Sequence, residues 1–222
     1  MTGLMSSIAR PVRFDYLLPR ISGRPRPVIL DVGCGNHSAS ITKKYIPGSI
    51  YHGLDLDTNY NNDLHDTRCM DKFIGLDLDS SDLREIDPDH YDVIILSHVI
   101  EHLHGGLPVL VSLVSKMKPG GIMYVETPHP RSLRFPSMKG TLNFHDDSTH
   151  VRVYPTEEIV GALKSHRCEI LYAGTRRSLK RIALTPFHCL NSLTRDGFVS
   201  GSAFWDLLGF SSVVMARRGA RG

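Results

Sequence analysis

Short apolar runs recur along this chain, and most of them stop at a glycine or an acid. Val28-Ile29-Leu30-Asp31-Val32 leads straight into Gly33-Cys34-Gly35. Apolar, β-branched residues that end at glycine read as a buried strand entering a tight turn. Ser38 and Ser40 are candidate N-caps for a helix over 41–46, which Pro47-Gly48 stops. The same pattern predicts strands at 50–55 and 73–78. The run Tyr91-Asp92-Val93-Ile94-Ile95-Leu96-Ser97 is apolar on both faces and belongs at the centre of a parallel sheet. Helical spacing over 109–117 closes on Lys118-Pro119-Gly120-Gly121, and a strand follows at 122–126. Strands at 169–175 and 211–217 complete the series. Strands alternating with helices define an α/β chain.

Between these runs the pattern lapses. Residues 1–27 read as an N-terminal arm, with one helical turn at Phe14-Asp15-Tyr16-Leu17-Leu18 and extended backbone imposed by Pro19, Pro25 and Pro27. Residues 59–71 are polar and predict a weak or irregular helix. Residues 127–156 form a long loop, which in a compact domain is functional or mobile. Because it follows the fifth strand, it should lie over the carboxyl edge of the sheet. A helix over 156–165 carries Glu157 and Glu158 in its first turn, where the helix dipole favours them. Residues 176–210 read as an insertion with a short helix at 184–193.

Composition narrows the class. The 222 residues suit one domain, here 28–222 behind the arm, and 41% hydrophobic with 22% charged residues is ordinary for a soluble fold. A net charge of +3 does not point to nucleic acid. Arginines at both ends, Arg10 to Arg26 and Arg217 to Arg221, read as solvated termini. Arg176, Arg177, Lys180 and Arg181 form a basic cluster that is either a solvated face or a contact for an anionic substrate group. Cys34, Cys69, Cys168 and Cys189 are widely spaced, so neither a disulfide frame nor a zinc site is expected. With no signal-like or membrane-length apolar run, the expected location is the cytoplasm.

The glycine turn is the first chemical signal. Glycine accepts positive φ and lets a ligand approach the backbone. A dinucleotide fingerprint would need a third glycine where Ser38 stands, which argues against a nicotinamide oxidoreductase. Asp55, 20 residues past Gly35, sits where an acid reaches ribose hydroxyls. Its carboxylate can accept two hydroxyl protons at once.

The hydrophobic-Asp-hydrophobic-Gly-x-Gly segment, the Asp92-to-Ser97 strand running into Glu101-His102-Leu103, and Lys118-Pro119-Gly120-Gly121 before a strand occur in a fixed order over 28–126. This order resembles the class I S-adenosylmethionine (SAM)-dependent methyltransferases. It is most similar to the small O-methyltransferases with Glu-His-Leu after strand four. The resemblance implies a Rossmann-like, seven-stranded, mostly parallel sheet with helices on both faces and an antiparallel last strand. It also implies SAM as cofactor, held by Asp31, Gly33, Cys34, Gly35, Asp55, Leu56, Asp77, Leu78 and Ser97. An acid at Asp77 would accept from the adenine amino group; alternatively Asp77 caps a turn with Ser80 and Ser81.

Methyl transfer from a sulfonium is an in-line displacement governed by positioning. A hydroxyl acceptor also needs a base or a metal. The candidates are His145, His150 and His102 as catalytic histidines, and His98, Glu101, His102 and His150 as metal ligands. The ligand set resembles metal-dependent 2′-O-methyltransferases of small RNAs and, more loosely, ubiquinone-pathway O-methyltransferases, in which Glu-x-x-Glu-His and a later histidine hold magnesium or a similar ion. Glu101, His102 and His150 match that pattern; His98 stands in place of the first glutamate. Three imidazoles with one carboxylate favour a transition metal over magnesium. Glu-His-Leu also occurs in metal-free relatives, where it shapes the pocket. His98 and His102 are expected on one face of a helical turn, and His129, between two prolines, in the substrate pocket.

The expected acceptor is a small hydroxylated molecule, preferably a sugar or glycan. RNA 2′-O-methylation and a non-catalytic SAM-binding partner subunit are the alternatives. The arm and the insertion either cap the acceptor site or form a homodimer interface.

Overall fold

A computed structural model describes residues 10–220. Helix α1 (Arg13–Ile21) precedes β1 (Val28–Val32), α2 (Ser38–Tyr45), β2 (Ile50–Asp55), α3 (Leu64–Cys69) and β3 (Lys72–Gly75). Then come β4 (Tyr91–Ser97), α4 (Gly106–Val114), β5 (Met117–Pro128), α5 (Thr156–Ser165) and β6 (Cys168–Thr175). Helices α6 (Leu179–Ala183), α7 (Thr185–Asp196) and α8 (Trp205–Leu208) lead to β7 (Ser211–Arg218).

The strands form one seven-stranded sheet in the order β3-β2-β1-β4-β5-β7-β6. The first five pair in parallel, and β7 runs antiparallel to both β5 and β6. The expected fold class is therefore the observed one. Strand order reverses between β1 and β4, so their outgoing loops diverge and open a crevice at the carboxyl edge.

Alternation along the central strands splits the core between the two faces. Leu30, Ile94, Leu96 and Val125 pack with Leu110 and Leu113 of α4 and Ile159 and Leu163 of α5. Ile29, Val93, Ile95 and Tyr124 pack with Phe14, Leu17 and Ile21 of α1. The arm thus supplies a full core helix instead of one turn. Pro19 lies inside that helix, where an interior proline costs about 3 kcal/mol. Three buried side chains at roughly 2 kcal/mol each outweigh that cost.

Three further boundaries differ from the sequence pattern. Strand β3 ends at Gly75, level with Asp55 at the end of β2, because an edge strand cannot pair beyond its only neighbour. Helix α4 ends at Val114, and β5 begins at Met117, so Lys118-Pro119-Gly120-Gly121 lies within β5. Register against β4 jumps there between Tyr91 and Val93. The 176–210 segment holds three helices instead of one.

The terminal arginines and the basic cluster are not simply solvated. Arg24 pairs with Asp92, Arg218 with Asp89, and Arg176 is buried. Among the described residues, no helix is long and apolar enough to cross a membrane.

The long loop and the insertion are tied together above the sheet edge. Gly201 N–H donates to Lys139 O at 2.8 Å, Ser202 N–H to Gly140 O at 3.0 Å, and Trp205 Nε1–H to Thr141 O at 2.6 Å. Within the loop, Asp146 accepts from the N–H groups of Met138, Leu142 and Asn143 and from the Ser137 hydroxyl.

Candidate active site

The turn after β1 is built on backbone that a side chain would obstruct. Gly33 has φ +71°, and a Cβ there would lie 2.6 Å from Val99 Cγ2. At Gly35 a Cβ would lie 2.5 Å from the Tyr60 ring and 2.7 Å from its carbonyl oxygen. Ser38 does not cap α2; it opens the helix and donates its hydroxyl to Asp31. Tyr51 OH also donates to Asp31, at 2.8 Å. Asp31 is therefore buried beneath the turn, and burial pushes its carboxyl pKa up despite Arg13 and these hydroxyls. Cys34 is also buried, against Gly53 of β2, and burial pushes its thiol up to about 12. Neither Asp31 nor Cys34, both expected to hold the cofactor, borders the cleft above. Their fixed partners show why: both side chains brace the turn from below.

That cleft has a volume of about 460 Å³. Of the residues expected to hold the cofactor, Gly33, Asp55, Leu56, Asp77, Leu78 and Ser97 border it, while Gly35 lies behind against Tyr60. Asp55 closes β2 at the mouth of the crevice. Burial pushes its carboxyl pKa up, against backbone N–H donors that include Leu56 at 2.8 Å. Asp77 borders the cleft and also caps its own turn, accepting from Asp79 N–H at 3.0 Å and Ser80 Oγ at 2.7 Å. Sequence reasoning missed Tyr60, Trp205 and Phe210, which also border the cleft. Tyr60 sits in the polar segment after β2. Trp205 and Phe210 reach the site only because the insertion folds back over it.

Beyond Ser97 the chain turns sharply. His98 has φ +58°, and 100–102 form a single 3-10 turn. His98 and His102 therefore diverge instead of sharing a helical face. The His102 and His150 rings approach to 4.8 Å between centroids. One donor atom each from Glu101, His102 and His150 lie within 4.8 Å of one another. His150 Nδ1 meets the Phe144 carbonyl at 2.6 Å, so it carries the hydrogen and leaves Nε2 as the acceptor. His102 Nδ1 faces the Thr149 hydroxyl at 2.9 Å, and that hydroxyl donates to Asp147. Glu101 is fully buried; its backbone carbonyl accepts from Val151 and Arg152, pinning the loop to the site.

His98 stands outside this trio, although it shares Glu101 with it. Its Nδ1 lies 2.9 Å from Glu101 Oε1 and its Nε2 3.3 Å from Glu126 Oε1. Burial works against its charge, but the two carboxylates outweigh burial and raise its pKa to about 9. Behind it, Arg176 bridges Glu126 at 2.7 Å and Asp206 at 2.9 Å. The other two expected histidines do not border the cleft. His145 is exposed on the 144–146 turn, and His129 accepts from Arg131 N–H at 3.0 Å, capping the turn at 130–134.

A methyltransferase domain family model matches residues 8–172. The ubiquinone biosynthesis O-methyltransferase of Vibrio vulnificus is 29% identical over 121 residues, covering 53% of this chain. The chain spans about half the length of the curated relatives it matches. An S-adenosylmethionine-dependent methyltransferase from Mesorhizobium loti superposes with a TM-score of 0.63 at 16% identity, covering 95% of this chain and all of that one. The [4+2]-cyclase SpnF superposes with a TM-score of 0.62 at 17% identity, covering 95% and 82%. At those identities the structures share the fold alone. The family match spans the glycine turn and the Glu-His-Leu turn, and the chain belongs to the methyltransferase domain family.

Proposed function

We propose that the chain moves the methyl group of SAM to a hydroxyl oxygen of a small acceptor. The observation that carries this reading is the His102–His150 pair at the cleft, with His150 Nε2 left as an acceptor. Asp55 would accept from the ribose hydroxyls, while the strip at Asp77 and Leu78 would receive the adenine. The acceptor oxygen attacks the methyl carbon, the carbon–sulfur bond breaks, and the electron pair stays on sulfur. The hydroxyl proton passes to His150 Nε2. A neutral imidazole with a free ring nitrogen can take up that proton.

In a second form of the same reading, in which His150 Nε2 ligates and does not accept the proton, Glu101, His102 and His150 fit a divalent cation. Two imidazoles and one carboxylate converge, and the Nδ1 partners at Phe144 and Thr149 orient both rings as a ligating histidine requires. Three protein ligands would leave positions for solvent or substrate. When bound, such an ion would lower the pKa of the acceptor hydroxyl. The nitrogen-rich donor set suits a transition metal better than magnesium. His98, held between two carboxylates, is not part of the proposed set.

O-methylation is supported by the names of the curated relatives, which concern ubiquinone biosynthesis. None of these names a sugar, so the proposed acceptor is a small hydroxylated molecule of no narrower class. His150→Ala is expected to lower turnover by roughly 10²- to 10⁴-fold, with SAM affinity retained by calorimetry. Full activity in that variant would remove His150 from both proposed roles.

A further inference from the structure

A second cavity, of about 390 Å³, adjoins the cofactor cleft and shares Ser97, His98 and Trp205 with it. Its walls come from the start of α1, from β5, and from the insertion. Arg13, Arg176, Arg181 and Arg195 line it against only two carboxylates, Glu126 and Asp206. These cations are not equally committed. Arg176 is held by both carboxylates, Arg195 pairs with Asp196, and Arg13 donates to Ser38.

Arg181 is the exception. Among the described residues its guanidinium makes no hydrogen bond, and its Nε is buried without a partner. Burial lowers its pKa, as for a cation stripped of water and only partly compensated by the charge of Asp206. Nearby on α7, His188 also lines the cavity, and its Nε2 is buried without a partner. A guanidinium presents a planar fork of donors that matches a carboxylate or a phosphate. Leaving the buried Nε–H of that fork unmatched costs stability, and an incoming anion would recover that cost.

We propose that this cavity is an anion subsite, in which Arg181 and His188 bind a phosphate or carboxylate group carried by the hydroxylated acceptor. His98 and Trp205 form the boundary, so an acceptor anchored by its anion at Arg181 extends past them toward His150 and the methyl donor. The insertion then selects the acceptor, and the reading of the basic cluster as an anion contact applies to Arg181, whereas Arg176 serves structure. This assignment rests on the methyl-transfer reading for the identity of its ligand.

Trp205 is the sole tryptophan of the chain and lies in the cavity wall, so its fluorescence reports occupancy. The test titrates inorganic phosphate, and separately acetate, into the full chain, with chloride at matched ionic strength as control. A saturable change with phosphate or acetate is expected, and whichever anion binds more tightly identifies the acceptor's charged group. Arg181→Gln is expected to weaken that binding by roughly tenfold or more, and Arg181→Lys to retain part of it. No saturable change with either anion, or equal affinity in Arg181→Gln, overturns the subsite. SAM is titrated calorimetrically into the same samples. Intact SAM binding with no anion response defeats the subsite alone, whereas failure of the wild-type chain to bind SAM defeats the methyl-transfer reading beneath it. Unchanged SAM affinity in Arg181→Gln shows that the variant is folded.

Discussion

Arg176 shows how one side chain can reverse its sequence-level meaning. In a run with Arg177, Lys180 and Arg181 it reads as part of a solvated or anion-binding face. In the structure it is buried between Glu126 and Asp206, with His98 and Tyr124 also on Glu126. Burial alone would raise the Glu126 carboxyl, but Arg176 and His98 hold it well below the usual carboxylate range. Arg176→Met would strand the buried Asp206 carboxylate and leave Glu126 with His98 and Tyr124 alone. Breaking such a pair costs about 3–5 kcal/mol, so a marked fall in denaturation midpoint is expected, and an unchanged midpoint would contradict the network. Nothing in the sequence distinguished Arg176 from its neighbours, because its two partners lie 50 and 30 residues away. Asp31 and Cys34 make the converse case. Their place in the motif was legible, but only packing shows that they face the core side of the turn and not the cleft.

Among the elements, the central strands were the most legible, since β1, β2 and β4 carry mostly apolar runs that end at a glycine, an acid or a polar residue. Strand β4 falls on its predicted bounds because it is buried on both faces and its apolar run has no interruption. Helix α1 was legible only as one turn at 14–18: Pro19 argued for extended chain beyond it, and only the buried trio Phe14, Leu17 and Ile21 reveals why the helix continues to Ile21. Leu17→Ala removes a fully buried side chain from that trio and is expected to cost about 2–5 kcal/mol, read by chemical denaturation. A loss below about 0.5 kcal/mol would mean that α1 is not seated on the sheet.

The loop above the site depends on Asp146. Burial would raise its carboxyl pKa, but the Ser137 hydroxyl and the N–H groups of Leu142, Met138 and Asn143 outweigh it and hold the value at about 2. The folded value is therefore below the unfolded value of about 3.9. Asp146 stabilises the loop fully above that unfolded value and loses its effect as pH falls toward about 2. Hydrogen-exchange protection of the Met138, Leu142 and Asn143 amides should collapse over that window. In Asp146→Asn the protection should be low and flat across it, and equal protection in both proteins would contradict this role.

At the scale of the whole molecule, the parallel strands open a crevice where their order reverses, and two later segments close over it. The 28–126 core carries the glycine turn and the strand-end acids that border the cleft, and was readable because its motifs are local: strand, glycine turn, acid at a fixed offset. The cover above it draws on the long loop and the insertion, which meet through pairs such as Trp205 with Thr141 and Gly201 with Lys139. Such long-range contacts have no period and no local signature. For that reason His145 and His129, both conspicuous in sequence, fall outside the cleft, and Trp205 and Phe210 fall inside it.

The most direct test of this account is a calorimetric titration of the full chain with SAM, run beside Asp55→Ala. The cleft described here predicts saturable binding by the wild-type chain. In Asp55→Ala the loss of charge-assisted hydrogen bonds should weaken affinity by roughly 10- to 100-fold. Equal affinity in the two proteins would place the cofactor elsewhere, and no binding by the wild-type chain would contradict the cofactor site outright.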